Sequence, residues 1–192
     1  MSDMTKRIRI VPDEYAENPR STYDNASVLL AFHRRYSLSD AEAPKLDPDD
    51  YAGWDAMEAA IRRQEDAVVL LPVYLYDHSG LRVSTAPFEC RWDSGQLGFI
   101  YIPRKNLAEF GYKRVTERRR KQLLEYMESE IQELDTYLSE GCYGFIVEEL
   151  VAGEWEHKDS CWGFVGYDHE ANGMSDYLSG WVADGYVITE VG

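Results

Sequence analysis

The chain has 192 residues, 44% of them apolar and 13% aromatic, and a net charge of −15 at neutral pH. That length and apolar content suffice for a hydrophobic core without cross-links and argue against disorder, while the charge disfavours direct contact with nucleic acid or an anionic membrane. No apolar run approaches the roughly 20 residues of a membrane span, the opening MSDMTKRIRIV lacks a signal peptide's apolar stretch, and Cys90, Cys142 and Cys161 form no CxxC pair. A soluble, intracellular protein with free thiols and neither a disulfide framework nor a zinc site is therefore expected, and no metal or cofactor is assigned to it.

Arg7 to Val11 alternates as an edge strand ended by Pro12, and a loop over 17–27 leads to a second strand, Val28 to Arg35. His33 lies in that strand and reads as a core or edge histidine. Asp47 and Pro48 look like the cap and first residue of a helix running to Gln64, with Trp54, Met57, Ala60 and Ile61 as its core stripe. Val68 to Ile102 is the organising stretch. The apolar run Val68–Tyr76 fits a strand buried on both faces, with a bulge or unpaired side expected at Pro72. Asp77, His78, Ser79 and Gly80 form a hairpin turn, Leu81 to Thr85 the return strand, residues 86–96 a loop with a turn at Asp93, and Leu97 to Ile102 a further strand.

Thr116 is the predicted cap of the longest helix, which extends to Leu138 on a stripe of Leu124, Met127, Ile131, Leu134 and Leu138. Its charges oppose the helix dipole, with Arg118, Arg119, Arg120 and Lys121 at the start and acids in the later turns. Such an arrangement reads either as pairing with other elements or a partner, or as a merely solvated polar face. Gly141 ends the helix, a strand follows at Tyr143 to Leu150 with Trp155 and the run Cys161 to Tyr167 as its hairpin partner, and Gly185 to Val191 supplies a last strand. Asp168, Glu170, Asn172, Gly173 and Asp176 match part of a calcium loop, but Ser179 stands where the bidentate Glu belongs, so an acidic turn is the expectation.

These elements predict a single α+β domain over 1–192: a largely antiparallel sheet of about six strands, with one long and one shorter helix packed on one face. Charge divides it unevenly, because residues 122–192 hold 16 acids against Lys158 alone. Carboxylates three or four residues apart on a helix lie about 4.5–6 Å apart along its axis, a spacing that can imitate phosphates. Glu125, Glu128, Glu130, Glu133, Asp135 and Glu140 form such rows, which Glu148, Glu149, Glu154 and Glu156 could extend. A second candidate is a pocket built by Asp77, His78, Ser79 and Asp93, with Asp159 as a further carboxylate, at strand ends and loops where sites are commonly assembled. No Walker loop, GxGxxG, HExxH or GxSxG occurs to name a reaction.

The segments ENPRSTYDN, FHRRYSLSD, YLYDHSG, STAPFECRWDSGQLGFIYI, YLSEGCYGFIVEE and DSCWGFVG resemble a family of uncharacterised proteins encoded by bacteriophages and other mobile elements. The resemblance implies a bacterial cytoplasm and no particular reaction. Small acidic proteins of that origin are often anti-CRISPR or anti-restriction inhibitors. The leading expectation is accordingly an inhibitor of a nucleic-acid-binding host defence protein, acting by DNA mimicry and not itself binding nucleic acid through its acidic half. The alternatives are a small hydrolase or nucleotide-binding enzyme using Asp77, His78 and Asp93, and a phage accessory or assembly protein. Composition leaves open the oligomeric state and whether the basic cluster from Lys113 to Lys121 pairs internally or binds a ligand.

Overall fold

The computed structural model describes residues 5–108 and 110–191, with residues 190 and 191 described for backbone only. The expected single sheet of six strands with two helices is not what forms: there are two four-stranded sheets and, among the described residues, four α-helices. The chain divides into two compact units, one of residues 1–18 and 136–192, the other of residues 19–135.

In the discontinuous unit, strand β1 (Lys6–Pro12) pairs antiparallel with β6 (Cys142–Val151), which forms a hairpin with β7 (Glu154–Val165); β8 (Val187–Val191) lies parallel to β1 on its other side. The order is therefore β7-β6-β1-β8. Alternation puts Ile8, Ile10, Phe145 and Val147 on one face, where they pack with Met174 and Leu178 of helix α4 (Met174–Ala183). The acidic turn expected here is only the approach to that helix. Asp168 Oδ1 accepts from the Glu170 N–H at 3.0 Å, and Asn172 Oδ1 accepts from the Met174 N–H at 3.0 Å, so these two would-be calcium ligands hold the turns that lead into the helix. Sequence reading misses α4 because Gly180 and two serines weaken its helix propensity and its buried stripe is short.

The outer face of that sheet carries a cation between carboxylate and aromatic. Arg7 and Arg9 donate to Glu148 Oε2 at 2.8 and 3.0 Å, and the Arg7 guanidinium stacks 3.9 Å from the Trp155 ring centroid. Burial pushes the Glu148 carboxyl up, and the hydrogen bonds and charges of Arg9 and Arg7 outweigh it, holding it below the ordinary glutamate value. A depressed carboxyl stabilises the fold above its unfolded value, and that contribution disappears as pH falls through the folded one. The expected result is that Glu148→Gln lowers the urea midpoint at pH 7 yet leaves it close to wild type near pH 3; an equal deficit at both values would show that packing, not charge, is lost.

The second unit is built on the order β2-β5-β3-β4, all antiparallel: β2 (Val28–Ala31), β3 (Ala67–Asp77), β4 (Leu81–Ser84) and β5 (Ser94–Pro103). The continuous apolar runs in β3 and β5 are explained by burial on both faces. On one face, helix α2 (Trp54–Gln64) packs Met57 and Ile61 against Val28, Leu30, Leu70, Phe99 and Tyr101. On the other, Leu29, Val69, Val73, Ile100 and Ile102 are equally sealed. Helix α3 (Glu117–Glu140) crosses there, with Leu123, Met127, Ile131 and Leu134 buried and hydrogen bonds to Val68, Ala26, Ser27 and Val83. Helices thus lie on both faces, not one. The expected stripe is shifted as well, since Leu123 is buried and Leu124 only half-buried.

Local corrections have local causes. Asp47 does cap, accepting from the Asp49 N–H at 3.0 Å, but it opens only a 3-10 turn (Pro48–Asp50), and α2 starts after Gly53 at φ 113°. The bulge expected at Pro72 falls one step on, between Val73 and Tyr74. Strand β2 stops at Ala31, releasing His33, and β5 starts at Ser94, three residues early. Two of the four cations opposing the α3 dipole are used elsewhere. Arg119 reaches the Arg114 carbonyl at 2.8 Å and stacks on Tyr112, and Arg120 reaches the Val68 carbonyl at 3.1 Å.

Candidate functional site

Three segments far apart in sequence meet at one end of the second sheet. Beyond β2, the His33 ring stacks on Tyr36 with centroids 4.8 Å apart, and its Nδ1 accepts from the Arg35 N–H at 3.2 Å, which leaves any neutral-ring proton on Nε2. The β3–β4 hairpin supplies Asp77, whose carboxylate is in close contact with the Arg35 guanidinium and accepts from the Tyr36 hydroxyl at 3.4 Å. The loop before β5 supplies Trp92 and Asp93; the Asp93 carbonyl accepts from the Asp77 N–H at 2.8 Å, locking loop to hairpin. Together they surround a cavity of about 420 Å³, whose wall includes His33, Arg35, Asp77, Trp92, Asp93 and Gln96.

The four pocket residues expected from sequence divide. Asp77 and Asp93 line the cavity. His78 does not; it stands at the rim with Nδ1 3.6 Å from Asp93 Oδ2, its side chain 63% exposed. Ser79 sits at φ 53° in the turn itself and is exposed. Asp159 belongs to β7 in the other unit, where its carboxylate accepts from the Ser160 N–H at 2.9 Å. Cys90 donates its thiol to Asp93 Oδ2 at 3.4 Å, so one carboxylate faces both a thiol and an imidazole. The Cys90 thiol thus ties Asp93 to its own loop, and His78 stands beside the same carboxylate, open to solvent.

His33, Arg35, Tyr36 and Trp92 were not foreseen as site residues. The sequence pattern places His33 and Arg35 in a strand that ends before them, and Trp92 carries its signal only in three dimensions, being 96% exposed. An indole left in water gains nothing from folding, and here it forms one wall of a polar cavity.

The acidic rows are reorganised more severely. Glu130 and Asp135 are buried, at 7% and 4% exposure, and so cannot present charge to a partner. Glu130 pairs with Arg20 at 2.9 Å and accepts from the Ser27 hydroxyl, while Asp135 takes a bidentate contact from Arg82 and accepts from the Val83 N–H at 2.8 Å. Burial and a hydrogen bond to Glu130 push the nearby Tyr126 hydroxyl up to about 12. Glu133 is half-buried, and desolvation with repulsion from Glu130 raises its carboxyl. Glu125 and Glu128 are exposed, with Lys121 3.4 Å from Glu125. In the other unit Glu148 is neutralised by Arg7 and Arg9, and Lys158 lies 3.5 Å from Glu149 and 3.1 Å from Glu156. Glu140 and Glu154 are exposed. The helix positions up to Asp135 and the remaining acids fall in different compact units.

Among the described residues no helix is long and apolar enough to cross a membrane. No family model, curated protein or solved structure matches the chain.

Proposed function

We propose that the protein binds a small planar, polar ligand of the nucleotide class in the cavity beside Asp77 and Asp93, with His78 as the acid–base group of a hydrolytic step. The observation that carries this reading is the convergence of three separate segments on that cavity, where donors (His33, Arg35), acceptors (Asp77, Asp93) and an exposed indole (Trp92) face one space. Its volume lies within the range of about 300–1,000 Å³ usual for small-molecule sites. A base or similar ring would stack on Trp92, Arg35 would meet an anionic or carbonyl oxygen, and the Asp93–His78 pair would activate water.

Trp92 is also the reporter. Titration with a panel of nucleosides and nucleotides is expected to quench indole emission in the wild type and not in Trp92→Phe. Asp77→Asn should weaken binding at least tenfold, by loss of a charge-assisted hydrogen bond. His78→Ala should retain binding and lose turnover. Emission from Trp92 that no member of the panel alters would sink the reading.

A second reading keeps the acidic inhibitor, because the discontinuous unit alone holds 15 Asp and Glu against 4 Lys and Arg, a net −11 of the chain's −15. Glu140, Glu154, Asp159, Asp168 and Glu170 are exposed there. On this reading the chain comes from a mobile element, works in the bacterial cytoplasm, and occupies the nucleic-acid-binding surface of a host defence protein. Its acidic surface excludes Glu130 and Asp135. Retention of such a protein from lysate, lost on raising salt and on joint Glu140→Gln, Glu154→Gln and Asp159→Asn substitution, is the expected result. Retention that survives both would remove mimicry.

A further inference from the structure

Strand β3 connects two different places: Asp77 at one end faces the cavity above, and Ala67 and Val68 at the other line a second one. Ten residue steps at about 3.3 Å each separate these ends by roughly 33 Å. The second cavity is larger, about 640 Å³, and its wall is basic: Arg62 from α2, Arg104 after β5, Lys113 and Arg114 from the segment before α3, and Arg120 from α3 itself, with Glu117 as the acid among them.

Such crowding runs against the chain's composition. Eight of its 20 Lys and Arg fall in residues 104–121, in a protein that has 35 acids with which to disperse them. Some of the wall is internally satisfied, since Arg62 pairs with Glu58 at 2.8 Å, Arg104 with Asp66 at 2.8 Å, and Arg120 donates to the Val68 carbonyl at 3.1 Å. These contacts fix three guanidinium groups in place and leave donors on each. Lys113 and Arg114 are exposed and bridge to no acid among the described residues. The segment that carries them is held to α3, because Arg119 donates to the Arg114 carbonyl and stacks on Tyr112.

We propose that this cavity binds a compact polyphosphate, through its phosphate oxygens alone. Bases drawn from four separate elements converge on one concave space instead of lining a track, which suits a small polyanion better than an extended nucleic-acid backbone. None of the wall residues is aromatic, so no base-stacking surface accompanies the charge. The shared chemistry is a chain of two or three phosphates, whether free or as the tail of a nucleotide. With a net charge of −15 the protein as a whole repels such ligands, so binding must come from the local arrangement.

The test is calorimetric titration of the full chain with inorganic tripolyphosphate, with ATP and with a twelve-residue oligothymidylate, using wild type, Lys113→Gln, Arg114→Gln and, as a control of equal charge change, Arg118→Gln. Arg118 is exposed and lies outside the wall. Expected are micromolar binding of tripolyphosphate, a loss of about tenfold in each of the first two variants, from one charge-assisted contact, and little change in the third. Equal affinity for ATP makes the phosphates sufficient and admits a nucleotide tail as the source, weaker ATP binding with the same variant pattern points to free polyphosphate, and tighter ATP binding would overturn contact through the phosphates alone. No binding, an Arg118→Gln loss equal to the others, or preference for the oligonucleotide would each overturn the proposal. Because Trp92 emission and the Asp77→Asn variant report the other end of β3, failure here and failure of the first cavity are read separately.

Discussion

Arg20→Ala is expected to destabilise the protein by about 3–5 kcal/mol, the usual cost of removing one partner from a buried ion pair. Arg20 sits in helix α1 (Pro19–Thr22) with its side chain 4% exposed. Its guanidinium holds Asp40 through both Nε, at 3.1 Å, and Nη2, reaches Glu130 at 2.9 Å, and donates to the Ser27 carbonyl at 3.0 Å. Burial opposes its charge, and the hydrogen bonds and charges of Asp40 and Glu130 more than restore it, so its pKa is raised. Deleting the cation strands two carboxylates, one of which also accepts from the Leu29 N–H at 2.7 Å and so orders the start of β2. Arg20→Lys should lose less, because charge survives while the planar fork does not. Urea unfolding followed by circular dichroism measures both, and a loss below about 1 kcal/mol for Arg20→Ala would show that the pairs merely offset their own desolvation.

Gly98→Ala is expected to cost about 3 kcal/mol, at the upper end for one added methyl, because the methyl has nowhere to go. A Cβ on Gly98 would lie 2.0 Å from the Leu30 carbonyl oxygen and 3.0–3.1 Å from the Leu30 carbonyl carbon and Ala31 Cα. These are backbone atoms of the paired strand, so relief requires opening the β2–β5 ladder. That ladder also positions Phe32, whose N–H donates to the Leu97 carbonyl at 2.8 Å, and thus the chain entering His33 and Arg35. The variant should therefore lose stability and Trp92-detected ligand binding together. Gly95→Ala, with nothing within 4 Å of its Cβ, is the control expected to fold normally. Wild-type urea midpoints for both variants would refute the steric argument.

The acidic rows and the pocket illustrate different limits of sequence reading. Spacing on α3 correctly puts Glu130 near Glu133 and Asp135 two turns beyond Glu128, but helical spacing is silent about which neighbour covers a face. Arg20 and Arg82, 110 and 53 residues away from Glu130 and Asp135, turn two apparent surface charges into buried ones. The loop containing Arg20 reads from composition as Asn, Pro and Ser turn chemistry and carries no mark of a buried guanidinium. For the pocket, the hairpin turn at Asp77 and the turn at Asp93 are legible, whereas their meeting with His33 and Arg35 depends on β2 pairing with β5 and β5 with β3.

By itself the sequence determined part of the local structure: the approximate place of most strands, the extent of α3 to within two residues, that Gly141 at φ 80° closes it, and that acid accumulates late in the chain. These follow from periodicity, caps and turn residues, which act over a few positions. Tertiary structure alone decided that β1 joins β6 and β8 across more than a hundred residues, that helices cover both faces of the second sheet, and that bases gather at one end of β3 and a mixed polar cavity at the other. Strand partners are selected by the burial of whole faces, a sum over distant residues that no local window contains.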